Sequence, residues 1–145
     1  MGCSELEKKM LVERAIEARN RAYSPYCRYY VGAALLTAER KIFTGACVTN
    51  REVSICAEKI AFANAVYDGC NHFIAIAIAG GPEGEKASPE YPCKSCIGIM
   101  KEFCSSDIFQ IILIGDGKSL SVPLAQLERF LPSILEKDDL ASTLH

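Results

Sequence analysis

Residues 56–79 read CAEKIAFANAVYDGCNHFIAIAIA, which places a buried helix directly before a buried strand. The first half, residues 56–67, carries apolar side chains around most of a helical surface, as is typical of a helix at the centre of a domain. Asp68 and Gly69 supply a stop signal for that helix. The second half, residues 72–79, is a nearly continuous apolar run of strand length, as expected for an interior strand covered on both faces.

The segments on either side continue this alternation of helices and strands. We predict helices at residues 4 to about 23, with Ser4 as a cap, at about 94–103, and at 123 to about 130. We predict further strands at residues 31–37, 41–46, 108–114 and 119–122, an exposed loop at 80–90, and partly helical chain beyond residue 132. This order indicates an α/β domain with helices on both faces of one sheet, a three-layer α-β-α sandwich. No repeat or internal boundary is visible, so we expect a single domain over residues 1–145.

Composition and charge limit the possible partners. Half of the 145 residues are apolar, and a chain of this length can bury a substantial core. The net charge is −2 and no long run of Lys or Arg is present, which excludes a nucleic-acid polymer that is bound through its phosphates. The longest apolar run, residues 73–79, is far shorter than the roughly 20 residues that span a bilayer. We therefore expect no membrane partner, a cytoplasmic location and a small, nearly neutral ligand.

Two short motifs carry candidate chemistry, and each begins a predicted helix. Cys93 and Cys96 are three residues apart, so they share a helix face and can bind one ion. The positive end of a helix dipole favours thiolates, the form that binds metals. Cys56 supplies a third sulfur from another helix start. Three protein ligands with one open position are typical of catalytic zinc, whereas a structural zinc site has four. The predicted cofactor is therefore Zn²⁺.

Glu58 is the predicted catalytic acid and base. Residues two apart on an ideal helix point about 200° from each other, so Cys56 and Glu58 can face one ion only if the chain is not yet helical at Cys56. If that condition holds, the carboxylate lies beside a metal-bound water and can carry its proton to a leaving group.

Two alternatives remain open from the residues alone. A Cys-x-x-Cys motif also fits a redox pair, although that would explain neither Cys56 nor Glu58. It also fits a structural zinc site in a non-catalytic module, for which Cys47 is the nearest candidate as a fourth ligand. The two histidines, His72 and His145, are predicted to be bystanders.

These motifs resemble the cytidine deaminase superfamily, in which a metal-binding His or Cys, one residue and Glu precede Pro-Cys-x-x-Cys. Residues 22–36 also resemble the N-terminal segment of that family. The resemblance implies a five-stranded mixed sheet between helices, usually in a homotetramer, and a role in pyrimidine salvage. It implies that Cys56, Cys93 and Cys96 bind zinc. A water activated by zinc would attack C4 of cytosine, and Glu58 would protonate N3 and then the amine, which leaves as ammonia.

The resemblance also implies residues that contact the substrate. The backbone N–H of Ala57 would bind the pyrimidine carbonyl, and Tyr29 stands near the base where the family usually has Phe. The family's ribose-binding Asn and Glu correspond here to Cys47 and Thr49. Asn50 begins a second Asn-x-Glu, which would reach the sugar only through a rearranged loop.

Two departures from the family bear on the substrate and the metal. The segment before Cys56 is about two residues shorter than usual and looks more like that of blasticidin-S deaminases. The predicted substrate is therefore cytidine or deoxycytidine, with an atypical cytosine nucleoside as the alternative. The Arg-Gln that usually follows the last ligand is replaced by Ile97 and Gly98, and Lys59 is expected to compensate in part by screening the thiolates.

Overall fold

The computed structural model describes residues 2–127 of the chain. In chain order its elements are α1 (Glu5–Arg19), β1 (Tyr29–Thr37), β2 (Ile42–Ala46), β3 (Val48–Thr49), β4 (Ser54–Ile55), α2 (Ala57–Tyr67), β5 (Phe73–Pro82), α3 (Lys94–Phe103), β6 (Gln110–Gly115) and β7 (Lys118–Pro123). Residues 124–127 are helical, in agreement with the predicted helix from residue 123. The rest of that helix, the segment beyond residue 132 and His145 lie outside the described residues.

A mixed five-stranded sheet forms the middle layer. Its strand order is β2-β1-β5-β6-β7, and β3 and β4 form a separate two-stranded sheet. The pair β5–β6 is parallel, and the other pairs in the large sheet are antiparallel. Helix α1 covers one face of the sheet, and α2 and α3 cover the other. The predicted three-layer α-β-α sandwich with a mixed five-stranded sheet is confirmed.

The central strand β5 shows why its sequence is apolar throughout. Side chains alternate between the two faces of a strand. Ala75, Ala77 and Ala79 pack on the α1 side, and Ile76 and Ile78 pack on the side of α2 and α3. All five are completely buried. A strand covered on both faces has no position at which a polar side chain would reach water.

Glycines let two of the helices lie directly on the sheet. A Cβ added at Gly32 in β1 would collide with the backbone of α1, at the carbonyl of Ala15 and the amide of Arg19. A Cβ added at Gly45 in β2 would collide with the carbonyl of Ala57 in the first turn of α2. The start of α2 is therefore fixed against the edge strand of the sheet.

The ends of helix α1 and strand β5 differ from the predicted ends, and in both cases contacts with distant segments are the reason. Helix α1, capped by Ser4 as predicted, ends at Arg19 rather than near residue 23, because the Tyr23 backbone bonds to Cys47 and Thr49 instead. Strand β5 continues to Pro82, where a loop was predicted from residue 80, because its last residues pair with an extended start of β1. The small sheet of β3 and β4 was not predicted. No helix among residues 2–127 is long and apolar enough to cross a membrane.

Candidate active site

The start of α2 satisfies the condition that Cys56 and Glu58 share a site. Cys56 is the N-cap residue, with extended dihedral angles of φ −68° and ψ 146°. Ala57 is the first helical residue, so the angular relation of an ideal helix does not apply between Cys56 and Glu58. Both residues line the same cavity.

The start of α3 brings two more sulfurs to that point. Cys93 is the N-cap of α3, and Cys96 lies in its first turn. The Cys93 Sγ lies 3.3 Å from the Cys96 Sγ and 3.7 Å from the Cys56 Sγ. All three sulfurs lie within 4.8 Å of one another, and none is in a disulfide. Two helix starts that are far apart in sequence therefore converge on one cluster of thiols.

This donor set fits a zinc ion with one open coordination position. Cys56, Cys93 and Cys96 are the group of potential metal ligands found among residues 2–127. Cys47 does not belong to that group. Its sulfur accepts a hydrogen bond from the Val31 N–H at 3.4 Å and lies 3.9 Å from the Tyr29 carbonyl oxygen. Three thiolates without a fourth protein ligand are characteristic of catalytic rather than structural zinc.

The thiols are strongly coupled to one another. The hydrogen bonds that join the Cys93 sulfur to those of Cys56 and Cys96 lower the pKa of Cys93. The same hydrogen bond to Cys93 raises the pKa of Cys56 to about 11, and hydrogen bonds to both neighbours raise that of Cys96. Binding of a metal ion requires and promotes deprotonation of all three.

Glu58 is buried beside this cluster, with 4% of its surface exposed. Burial raises its pKa to about 7, and the negative charge of Cys93 contributes in the same direction. Its carboxylate lies near the sulfur atoms, because it interacts with Cys93 and Cys96 and lines the same cavity as Cys56, but it is not one of the close group of potential ligands. A carboxyl group with a pKa near neutrality can both accept and release a proton under physiological conditions.

The cavity that contains these groups has a volume of about 270 Å³. Four of the predicted substrate-binding residues line it, namely Ala57, Tyr29, Cys47 and Thr49. Asn50 is not among the lining residues. Its side-chain oxygen accepts hydrogen bonds from the N–H groups of Glu52 and Val53, at 2.8 and 2.7 Å, and so closes the turn between β3 and β4.

Lys59 is half-buried in the first turn of α2 and does not line the cavity. It forms no ion pair with another residue in the part of the chain that is described. His72, which immediately precedes β5, lies outside the cavity lining.

Six lining residues were not predicted as site residues from the sequence, namely Ser24, Cys27, Val31, Ser54, Glu90 and Tyr91. One signal for Glu90 was present, since a glycine inside a strand often marks the close approach of another group. Gly80 in β5 is that position, because an added Cβ would lie 3.0 Å from the Cβ and Cγ of Glu90.

Comparison with known proteins assigns this arrangement to a family. Residues 6–112 match the family model described as the cytidine and deoxycytidylate deaminase zinc-binding region. The chain belongs to this family. A cytidine deaminase from Sporosarcina psychrophila is 34% identical over 140 residues, which cover 94% of this chain and 96% of the relative. A cytidine deaminase from Halalkalibacterium halodurans is 32% identical, covering 93% of this chain and 98% of the relative.

Solved structures show the same similarity. Cytidine deaminase from Burkholderia pseudomallei has a TM-score of 0.72 and 33% identity, covering 82% of this chain and 94% of that one. The enzyme from Mycobacterium tuberculosis has a TM-score of 0.68 and 27% identity, covering 82% of this chain and 91% of that one. The prediction of the cytidine deaminase superfamily is therefore confirmed.

Membership in the family also decides between the alternatives for function. The family is defined by a zinc-binding region of deaminases, and this chain has a three-cysteine cluster that fits the metal. The protein is a zinc-dependent aminohydrolase, and the non-catalytic zinc module is not supported. Relatives named cytidine deaminase match nearly the whole chain, which does not favour the blasticidin-S alternative.

Proposed function

We propose that this protein is a cytidine deaminase, which converts cytidine or deoxycytidine and water to uridine or deoxyuridine and ammonia. The observation that carries the proposal is a cluster of three thiols, two of which, Cys56 and Cys93, line one cavity together with the buried carboxyl group of Glu58. Cys56, Cys93 and Cys96 would hold the zinc ion. When bound, zinc supplies Lewis acidity that lowers the pKa of a coordinated water to about 7.

Glu58 performs the proton transfers in this proposal. Its buried carboxylate takes the proton of the attacking water and delivers it to N3 of the cytosine ring. A second proton passes through the same carboxyl group to the departing amine, which leaves from C4 as ammonia. Burial supports this role because it raises the pKa of the Glu58 carboxyl group to about 7.

Ala57 and Tyr29 hold the base. Ala57 is the first residue of α2, where backbone N–H groups have no partner within the helix. Its N–H is therefore available to donate to the C2 carbonyl of cytosine. Tyr29 lines the same cavity and offers its ring to the base.

The charge of the cavity favours a nucleoside over a nucleotide. Its lining among the described residues contains two carboxyl groups, Glu58 and Glu90, and no Lys or Arg. A phosphate group would therefore meet negative charge without a compensating cation. For this reason we propose free nucleosides as substrates, although the family description also includes deoxycytidylate deaminases.

The sugar end of the cavity is assigned to side chains on β3 and β4. The Thr49 and Ser54 hydroxyl oxygens lie 3.0 Å apart and can donate to or accept from sugar hydroxyls. The Cys47 thiol lines the wall beside them. Asn50 has no sugar contact in this assignment, because its side-chain oxygen already accepts hydrogen bonds within the turn between β3 and β4. Lys59 is retained as the cation that screens the thiolates, supported by its position one residue after Glu58.

We further propose a homotetramer of single-domain subunits, in the cytoplasm, that serves pyrimidine salvage. An exposed apolar patch supports self-association. The patch consists of Val48 and its two backbone neighbours, Tyr23 and Ile55. Tyr23 forms an isolated bridge with Val48, and Ile55 pairs with Val48 where β4 runs beside β3. These three side chains are each more than 40% exposed. The mass in solution, measured by light scattering, tests the tetramer.

Ammonia release tests the proposed reaction. The zinc-loaded protein is expected to deaminate cytidine and deoxycytidine, and to leave CMP and dCMP essentially unchanged. Glu58→Gln keeps the shape of the side chain and removes the proton carrier, so it should retain zinc and lose turnover by about 10²- to 10⁴-fold. Turnover by Glu58→Gln at the native rate, or no reaction with any cytosine nucleoside, would contradict the proposal.

A further inference from the structure

The cavity contains a second carboxylate that the deamination step does not use. Glu90 lies between β5 and α3, three residues before Cys93, and its half-buried side chain lines the cavity. Burial, together with the charges of Glu58 and Glu90, raises the pKa of the Cys47 thiol on the same wall. Glu90 therefore contributes negative charge to the cavity from a different segment than Glu58.

Two contacts hold the Glu90 side chain in place. The Tyr29 hydroxyl donates a hydrogen bond to Oε2 of Glu90 at 2.5 Å. The Cβ and Cγ of Glu90 pack over Gly80, where no side chain stands in the way. Burial and the hydrogen bond to Glu90 both raise the pKa of Tyr29, so the phenol remains a donor.

The other oxygen of Glu90 is available to a ligand. No residue among 2–127 donates a hydrogen bond to Oε1, while Oε2 is bound by Tyr29. An ionised carboxylate can only accept hydrogen bonds. The group that completes this site must therefore bring a donor.

The functional groups of the proposed substrate limit which hydrogen-bond donor can bind the free oxygen of Glu90. In a cytosine nucleoside the donors are the 4-amino group and the sugar hydroxyls, whereas N3 and the C2 carbonyl oxygen accept. The amino group is attached to the reacting carbon, which belongs beside the sulfurs and Glu58. The described contacts of Glu90 are with other groups than the sulfur ligands: its Oε2 is bonded by Tyr29, its Cβ and Cγ pack on Gly80, and its charge acts on Cys47 at the sugar end. The remaining donors are the hydroxyls of the sugar.

We propose that Glu90, positioned by Tyr29, is a specificity-determining residue that accepts a hydrogen bond from a sugar hydroxyl of the nucleoside. This inference rests on the proposed function, since it names a contact of the same substrate. The contact is made equally in the ground state and the transition state, so it acts on KM more than on kcat.

Steady-state kinetics with matched substrates test the contact. Native protein, Glu90→Gln and the control Glu85→Gln are compared on cytidine and on its 2′-, 3′- and 5′-deoxy analogues, with zinc content measured for each. Glu85 is exposed and outside the active cavity. Glu90→Gln should lower kcat/KM for cytidine about 10-fold or more, mainly through KM, because a charge-assisted hydrogen bond is lost. Glu85→Gln should match the native protein.

The analogues identify the hydroxyl. One deoxy analogue lacks the hydroxyl that binds Glu90. With that analogue, native protein and Glu90→Gln should have nearly the same kcat/KM. Tyr29→Phe keeps the ring and removes the donor that orients Glu90, so it should show the same pattern with a smaller change in KM.

Two results would overturn the inference: native kinetics of Glu90→Gln on cytidine, or a loss that stays the same for all three analogues. Both are observed with a native protein that deaminates cytidine, so they leave the proposed function intact. A native protein that is inert on every nucleoside would overturn the proposed function instead, and the inference with it.

Discussion

The two ends of the cavity are built in different ways. The end that fits zinc consists of helix starts packed on the core, where Ala57, Glu58 and Cys96 are buried. The other end consists of strands β3 and β4, two residues each, and of the segment between β5 and α3. There the lining residues Ser54 and Tyr91 are exposed.

This difference separates reaction chemistry from substrate choice. The sulfurs and Glu58 are fixed by backbone geometry, namely two N-caps and the close contact of Gly45 with α2. The sugar end rests on side chains in exposed segments, which can change without moving the metal site. The two positions that the family resemblance pairs with ribose-binding residues, Cys47 and Thr49, lie at that end, whereas the departure at Ile97 and Gly98 adjoins the ligand Cys96 and leaves the three sulfurs in place.

Removal of one sulfur should have the largest effect. Cys96→Ala leaves two ligands, too few for a stable zinc site, so bound zinc should fall from about one equivalent towards none and ammonia release should be lost. Metal analysis and turnover measure this. Cys3→Ser, a change outside the cavity, is the matched control and should keep both zinc and activity. Full zinc occupancy in Cys96→Ala would mean that the ion lies elsewhere.

A smaller effect is expected when the backbone support of the metal end is disturbed. Gly45→Ala inserts a methyl group against the carbonyl of Ala57, so α2 must shift, at a cost of about 1–3 kcal/mol in the free energy of unfolding. Gly98→Ala in α3 is the matched control. An added Cβ there has no atom within 4 Å, and the gain in helix propensity should stabilise the protein by about 0.5–1 kcal/mol.

Denaturant unfolding of the zinc-loaded proteins measures both changes. Equal stability of Gly45→Ala and the native protein would show that the start of α2 is not held by β2.

The smallest effect is expected at the turn of the sugar end. Asn50→Ala removes the acceptor for the N–H groups of Glu52 and Val53, at a cost of about 1 kcal/mol because the turn is exposed to water. KM for cytidine should rise a few-fold while kcat and zinc content stay native. A large fall in kcat would show that the two ends of the cavity are coupled, against the separation described above.

The metal end was predictable from the sequence because its rules are local. Helix starts, the spacing of Cys93 and Cys96, and the apolar period of α2 can each be read within a few residues. Even the requirement that Cys56 precede the helix follows from the 3.6-residue turn, and the observed dihedral angles meet it.

The sugar end was predicted only in part, at Cys47 and Thr49, because the rest of its structure depends on pairing between distant segments. Gly80 and Gly81 have low strand propensity, yet they continue β5 because Tyr30 and Val31 pair with them. The sheet of β3 and β4 is too short for an alternating pattern. Glu90 reaches the cavity only because β5 extends beneath it and Tyr29 binds it.

X-ray absorption spectroscopy at the zinc edge measures whether two helix starts supply three thiolates and leave one coordination position open. We expect three sulfur neighbours at about 2.3 Å and one lighter neighbour, oxygen or nitrogen, for each zinc ion. A coordination shell of four sulfurs, or of two or fewer, would contradict it.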